Sequence, residues 1–364
     1  MSDSEATTED ARDEDLFQTA RLITCGLYNN IIIRDYVRTL LSLNRTDSAW
    51  AVDPRARQHK TAFNTEIPHS TGNQVSIEFN LIYRWHSCLS QRDATWTENK
   101  FRTMLCGQEP AKANLGQMLR AMKTLDDSIP DAPEDRTFHG FRRGTDGRIL
   151  DNQLVEELVR SVEDVAGAFG ANRVPTALRS VEILGITQAR RWHVATLNEL
   201  RSYFGLSRHE TFEDINPNPI VAAKLQSLYK TSDEVEMYPG MIAEKTKPAM
   251  SPGSGLCAGF TITRAILCDA VALVRSDRHV MDDWNPGVVT NWGFKEVAID
   301  LGVDKGCLAY KLILGAFPKS FKTDSIYAHF PLVTPHENLK IMRSLGKESK
   351  YSFARPALPA VHTG

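Results

Sequence analysis

The sequence predicts a mainly α-helical protein, and three observations support this. Apolar residues return every three or four positions over several long stretches, as on one face of a helix. Few stretches alternate between apolar and polar residues, which is the pattern of a half-buried strand. Clusters of glycine, proline and polar residues separate the periodic stretches and are typical of loops. There is no internal repeat and no heptad pattern, so we expect one compact helical domain over residues 14–356.

The first predicted helix runs from Glu14 to Leu43, where Phe17, Ile31 and other apolar residues lie mostly on one face. Residues 1–13 precede it and are dominated by charge, so we expect a disordered acidic tail. Residues 44–73 contain prolines, a glycine and scattered polar residues, which predicts a long loop.

A second helix is predicted from about Val75 to Ser90, and residues 107–150 mix short helices with loops. From about residue 275 onwards we expect short helices joined by loops, followed by a tail at 357–364. Four more helices are predicted by their apolar periodicity: Asn152–Phe169, Thr176–Phe204, Val221–Tyr229 and Phe260–Val274.

Composition excludes several classes of protein. The 364 residues carry 43 Lys plus Arg against 45 Asp plus Glu, a near-balance that argues against a nucleic-acid-coating protein. The acidic start is no secretory signal, and no apolar run is long enough to span a membrane. The six cysteines form no C-x-x-C pair. We therefore expect a cytoplasmic protein. Peripheral attachment to a membrane or lipid body stays open, as does a homo-oligomer.

The segment NQVSIEFNLIYRWHSCLS, residues 73–90, carries the chemistry of most interest. On a helix, Phe79, Tyr83, His86 and Ser90 would share one face, which places a phenol one turn from an imidazole. An imidazole on an apolar helix face can be the axial ligand of a haem iron, and a neighbouring tyrosine can hold a radical. The alternative is a hydrogen-bonded core histidine beside an ordinary buried tyrosine, and spacing alone does not decide between the two.

The block EFNLIYRWH resembles the corresponding segment of the cyclooxygenases. Other blocks follow in the order found in that family, among them TLNELRSYFGL, TFEDI and LQSLYKTSDEVEMYPGMIAEKTKP. The blocks ANRVP, VEILGI, DAVALVR, TNWGF and YAHFPLV resemble the fungal haem fatty-acid dioxygenases, which are the linoleate diol synthases and psi-factor-producing oxygenases. The resemblance covers about residues 13–356.

This resemblance implies a cyclooxygenase-like helical domain of the animal haem peroxidase type, with haem b as cofactor. By motif match, His86 is the proximal ligand of the haem iron and Tyr83 is the radical tyrosine. The implied reaction removes a bis-allylic hydrogen from a polyunsaturated fatty acid such as linoleate and adds O₂ to give a hydroperoxide. Phe79, Ile82 and Trp85 are expected to give the radical dry, apolar surroundings.

Two parts of the family pattern are expected to be missing from this chain. The distal haem histidine lies far upstream of the proximal one in the family, so the domain is expected to be truncated at its N-terminus. The C-terminal haem-thiolate domain has no counterpart before Gly364. Arg264 and Arg275 are candidates to pair with a fatty-acid carboxylate, with a structural ion pair as the alternative. The competing functional hypothesis is a degenerate, non-catalytic paralogue without functional haem.

Overall fold

The structure is a computed structural model that describes residues 8–55, 68–136, 140–247 and 258–357. In these ranges the regular structure is helical, with only isolated β-bridges and no strand, so the prediction of a mainly α fold is confirmed. The α-helices are, in chain order, α1 Glu9–Ile31, α2 Val37–Leu40, α3 Ile77–Ile82, α4 Gln91–Met104, α5 Leu115–Asp126, α6 Asp151–Glu163, α7 Arg179–Arg191, α8 Leu197–Tyr203, α9 Phe212–Ile215, α10 Pro219–Leu228, α11 Met237–Ala243, α12 Phe260–Ser276, α13 Pro286–Val289, α14 Asn291–Glu296, α15 Ala309–Ala316, α16 Ile326–His329 and α17 Pro335–Ser344.

The chain divides into two compact units. The first unit takes in the described residues of Met1–Gln74, Leu158–Glu163 and Asp269–Gly364, and the second takes in those of Val75–Glu157 and Asp164–Cys268. Both Tyr83 and His86 therefore belong to the second unit.

The first helix begins earlier than the sequence predicted. The Thr8 hydroxyl accepts a hydrogen bond from the Ala11 backbone N–H at 3.2 Å, and Glu9 and Asp10 lie in the first turn, where acidic side chains are favourable. The expectation of disorder over residues 1–13 was therefore wrong for the described residues 8–13. Residues 1–7 and 358–364 of the two expected tails lie outside the described ranges. A π-helical stretch, Ile32–Tyr36, joins α1 to α2.

The predicted single helix from Val75 to Ser90 is wrong. Helix α3 ends at Ile82, a 3-10 turn follows at His86–Cys88, and α4 begins at Gln91. The hydroxyl of Ser90 accepts from the Asp93 N–H at 3.0 Å and caps α4. Tyr83 and His86 consequently do not share one helix face.

The predicted helix over Thr176–Phe204 is also divided. A 3-10 turn, Thr176–Leu178, leads into α7, and His193 then takes the left-handed conformation with φ of 52° before α8. Thr196 and Glu199 form a reciprocal capping box at the start of α8. This T-x-x-E pattern is visible in the sequence and could have located the break.

The core of the second unit holds the chemistry-bearing segment in place. Leu81 and Ile82 at the end of α3 are 0% and 2% exposed and belong to one hydrophobic core with side chains of α8, α11 and α12. Burying a large apolar side chain contributes about 1.5–3 kcal/mol to stability. Large and fully buried members of this core include Leu197, Ile215, Met237, Tyr238, Met241 and Ile262.

The two arginines that the sequence offered as carboxylate partners differ in environment. Arg275 is 2% exposed, and its Nη1 donates to the backbone carbonyl of Pro54 at 2.8 Å, so its guanidinium has a structural role in the first unit. Arg264 is exposed on α12. Among the described helices, none combines the length and the hydropathy that crossing a bilayer requires.

Candidate functional site

The candidate site lies just after the C-terminal end of α3. The Ser76 hydroxyl caps the start of α3 by accepting from the Phe79 N–H at 3.0 Å. At the other end, Arg84 folds back and donates from Nε to the Asn80 carbonyl at 3.2 Å and from Nη2 to the Asn80 side chain at 2.7 Å. A cationic side chain that satisfies a terminal carbonyl stabilises a helix end. Residues Tyr83 to Trp85 therefore leave the helix and direct His86 away from the α3 axis.

A close backbone contact holds the turn that carries His86. The N–H of Gly167 donates to the Cys88 carbonyl at 3.0 Å, and a Cβ at position 167 would lie 2.4 Å from the Ser87 carbonyl oxygen. Only glycine allows the two backbones to approach so closely. Gly167 thus fixes the 3-10 turn His86–Cys88 against the chain that follows α6.

His86 meets a carboxylate that is distant in sequence. Its Nδ1 is hydrogen-bonded to Oε1 of Glu182 on α7, which lies 96 positions further along the chain. The hydroxyl of Tyr238 on α11 donates to the same Glu182 oxygen at 3.0 Å. Three side chains from three separate elements thus form one connected cluster, which we call the His86–Glu182–Tyr238 cluster.

Close packing around Tyr238 holds the side chains of this cluster in place. A Cβ at Gly185 would lie 2.7 Å from Cε1 of Tyr238, so the glycine lets the ring lie directly against α7. The Arg84 guanidinium lies 6.0 Å from the centre of the same ring, and its Nη1 donates to Gln188 on α7 at 2.9 Å. Burial and the neighbouring Glu182 carboxylate raise the pKa of Tyr238 well above its ordinary value. The phenol therefore remains protonated and acts as a hydrogen-bond donor.

The hydrogen bond to Glu182 determines which nitrogen of His86 is available. A carboxylate accepts hydrogen bonds, so Nδ1 carries the hydrogen of this contact and Nε2 is the nitrogen that is left to bind a metal. Within the described residues Nε2 has no hydrogen-bond partner, and the His86 side chain is 25% exposed. Metal-binding histidines commonly present one nitrogen to the metal while the other donates to a carboxylate.

Aromatic rings surround Tyr83 without closing over it. The Tyr83 ring stacks on Phe79 with centroids 5.4 Å apart and lies 5.2 Å from Trp85. Ile82 is buried, but Tyr83 is 42% exposed, so the dry environment that the sequence predicted is incomplete in the described residues. The indole Nε1 of Trp85 is buried and has no hydrogen-bond partner there.

The donor set fits a haem better than a bare metal ion. A protein-held zinc ion needs three or four side-chain ligands, and the described residues contain no group of three His, Cys, Asp or Glu side chains able to supply them. A haem iron already has four porphyrin nitrogens and takes one axial histidine from the protein. Burial raises the pKa of the nearby Cys88 thiol to about 11, so Cys88 does not compete as a thiolate. His86 is thus the residue that would hold the haem.

Sequence reasoning missed Glu182 and Tyr238. Both lie in blocks that carried the family resemblance, Glu182 in VEILGI and Tyr238 in EMYPG. A carboxylate on an otherwise apolar helix segment was the available signal. Its partner was not visible, because local periodicity says nothing of which helix packs against the turn at His86.

The fold has relatives among solved structures. The chain is similar to the fatty acid alpha-dioxygenase of Arabidopsis thaliana, with a TM-score of 0.54 and 16% sequence identity over 89% of this chain and 51% of that one. At this level of identity the similarity shows the fold alone, which is mainly helical.

The animal haem peroxidase family matches residues 5–300, and the chain belongs to this family. It is 54% identical over 344 residues to "Psi-producing oxygenase A" of Aspergillus fumigatus, covering 94% of this chain and 32% of that protein. It is 52% identical to "Linoleate diol synthase" of Gaeumannomyces graminis, covering 94% of this chain and 30% of that protein. The chain therefore spans about a third of the length of these relatives. The family resemblance drawn from the sequence blocks is confirmed.

Replacing Glu182 with glutamine is expected to weaken hemin binding by about 10-fold or more, because removing the partner of a ligating histidine typically costs 10–100-fold in affinity. The neutral amide no longer favours the tautomer with the hydrogen on Nδ1. Hemin titration followed at the Soret band measures the effect. Glu213→Gln, at an exposed position on α9, is the matched control. Equal affinity in Glu182→Gln and the parent would exclude a role for the carboxylate.

Proposed function

We propose that residues 14–356 form the dioxygenase portion of a haem-dependent fatty-acid oxygenase. Haem b is the cofactor, His86 is its axial ligand and Tyr83 abstracts hydrogen from the substrate. The substrates are O₂ and a polyunsaturated fatty acid such as linoleate, and the product is a fatty-acid hydroperoxide. The arrangement of His86 carries this proposal. Its Nδ1 is hydrogen-bonded to Glu182, its Nε2 has no hydrogen-bond partner among the described residues, and Tyr83 lies three positions earlier in the chain.

In the proposed reaction, the radical on Tyr83 is consumed and then regenerated. Bound haem, once oxidised by a hydroperoxide, would supply the one-electron oxidation by which the Tyr83 phenol loses an electron and a proton and becomes a phenoxyl radical. The radical oxygen of Tyr83 takes a bis-allylic hydrogen atom from the fatty acid, which restores the phenol and leaves a carbon radical. Addition of O₂ to that carbon gives a peroxyl radical. The peroxyl radical recovers a hydrogen atom from Tyr83, which yields the hydroperoxide and regenerates the tyrosyl radical for the next turnover.

The His86–Glu182–Tyr238 cluster has a positioning role in this proposal. Glu182 orients the His86 ring and makes its Nε2 a stronger electron donor, as carboxylate partners do for ligating histidines. Tyr238 supplies a second hydrogen bond to Glu182, which fixes the carboxylate on α7. Phe79 stacks on the Tyr83 ring and Trp85 lies tilted against it, and together they keep the ring in one orientation.

The direct test is oxygen consumption by the hemin-loaded chain. Linoleate, which has a bis-allylic carbon, is expected to support O₂ uptake and hydroperoxide formation, whereas stearate, which has none, is not. Equal uptake with stearate would contradict hydrogen abstraction at a bis-allylic position. Stoichiometric haem binding with no uptake from either acid would support the competing hypothesis of a non-catalytic paralogue.

A further inference from the structure

The first unit contains a cavity of about 490 Å³ that none of the His86–Glu182–Tyr238 residues lines. This volume lies within the range of about 300–1,000 Å³ that is typical of ligand pockets. Three stretches of chain form its walls, at residues 35–47, 301–307 and 330–351, and all of them belong to the first unit. The cavity is therefore built within one unit and is independent of the chemistry proposed for Tyr83.

Arg38 is a buried cation in the wall of this cavity. The residue is 4% exposed, and its Nη1 makes a long hydrogen bond of 3.4 Å to the Lys305 carbonyl. Within the described ranges, its Nε is buried without a hydrogen-bond partner and the guanidinium forms no ion pair with a carboxylate. A buried guanidinium with unused donors is costly unless an acceptor reaches it. The cavity offers the space in which such an acceptor can bind.

The carboxylates near Arg38 are engaged elsewhere. Asp35 accepts from the backbone N–H groups of Leu308 at 2.8 Å and Ala309 at 3.2 Å, where it caps the start of α15. Burial raises the pKa of Asp35 to about 7, so at neutral pH it supplies less than a full countercharge. Asp304 accepts from the Tyr351 hydroxyl and pairs with His329 at 2.5 Å.

The remaining lining has a polar and an apolar part. Lys305 and Lys347 both contact Asp47, and Lys350 adds a further positive charge, so cations exceed carboxylates around the cavity. The apolar part includes two leucines that are 54% and 44% exposed, Leu301 and Leu332, together with the buried or half-buried side chains of Val303, Phe330, Val333, Met342 and Leu345. A ligand that matches both parts carries an anionic group and an apolar body.

We propose that this cavity binds an alkyl monocarboxylate, with the carboxylate on Arg38 and the alkyl chain against Leu301, Phe330 and Leu332. An arginine fork matches the two oxygens of a carboxylate. A doubly charged phosphate would meet the three cavity carboxylates Asp35, Asp47 and Asp304, and it would leave the apolar wall uncovered. The site is thus a second fatty-acid site, separate from the one at which Tyr83 would act.

Hydrogen exchange measured on the full chain with laurate as the probe tests this proposal and locates the ligand. Laurate below its micelle concentration is expected to slow exchange in the three cavity stretches, 35–47, 301–307 and 330–351. Arg38→Gln is expected to need at least about 10-fold more laurate for the same protection, since hydrogen bonds to charged groups are among the stronger ones. Arg343→Gln removes an exposed arginine paired with Glu348 on the same unit and is expected to behave like the parent.

Leu332→Asp provides a second variant if Arg38→Gln loses its thermal transition. It places a carboxylate on the exposed apolar wall and is expected to abolish laurate protection without disturbing a buried charge. Absence of protection in the parent, or protection unchanged in the variants, would overturn the proposal. Equal protection by inorganic phosphate would also overturn it, because the site would then be specific for anionic charge alone.

Discussion

Substituting His86 with alanine is expected to abolish stoichiometric hemin binding and the Soret band of the loaded chain. Removing the hydrogen-bond partner of a ligating histidine lowers metal affinity by up to about 100-fold, so removing the histidine itself should lower hemin affinity further. The fold is expected to persist, because His86 is 25% exposed and lies in a short turn that Gly167 holds through backbone contacts. Hemin titration with parallel far-ultraviolet circular dichroism measures both quantities.

His336→Ala is the matched control, because His336 is exposed near the start of α17 and has no assigned role. It is expected to bind hemin as the parent does. Unchanged hemin affinity and an unchanged Soret position in His86→Ala would contradict the assignment of the axial ligand. Added imidazole should restore part of the Soret band in His86→Ala if the histidine acts only as a ligand.

Substituting Tyr83 with phenylalanine is expected to eliminate linoleate oxygenation while leaving hemin binding intact. The variant keeps the ring that stacks on Phe79 and contacts Trp85, so packing changes little. It removes the hydroxyl, which is the group that forms a phenoxyl radical. Oxygen uptake with linoleate should fall to the background level, and peroxidase turnover of a phenolic reductant should persist because it requires only the haem and His86.

Tyr28→Phe removes a hydroxyl from a tyrosine that is 63% exposed on α1, and this control is expected to keep the parent rate. Oxygen uptake by Tyr83→Phe at the parent rate would exclude Tyr83 as the hydrogen abstractor. Loss of haem in Tyr83→Phe would instead assign Tyr83 a structural role. The two measurements therefore separate a defect in hydrogen abstraction from a defect in haem binding.

Local sequence features predicted the class of fold well. Apolar periodicity located α1, α6, α10 and α12, although α1 leaves Leu16 and Phe17 exposed and buries only Gly26 and Asn30. The same reasoning joined elements that the structure separates, at Tyr83 and at His193. In both places the apolar spacing continues across the break, so periodicity alone could not reveal it, although the caps at Ser90 and Thr196 were readable.

The sequence by itself determined the helical class and the family, and it singled out Tyr83 and His86 as candidate site residues, since the block EFNLIYRWH is contiguous and its resemblance requires no folding. Only the tertiary structure decided how His86 is held. Glu182 reaches His86 from 96 positions away because Gly167 and Gly185 permit close contacts that bring the turn, α7 and α11 together. Such contacts depend on the packing of distant segments, which local periodicity does not encode.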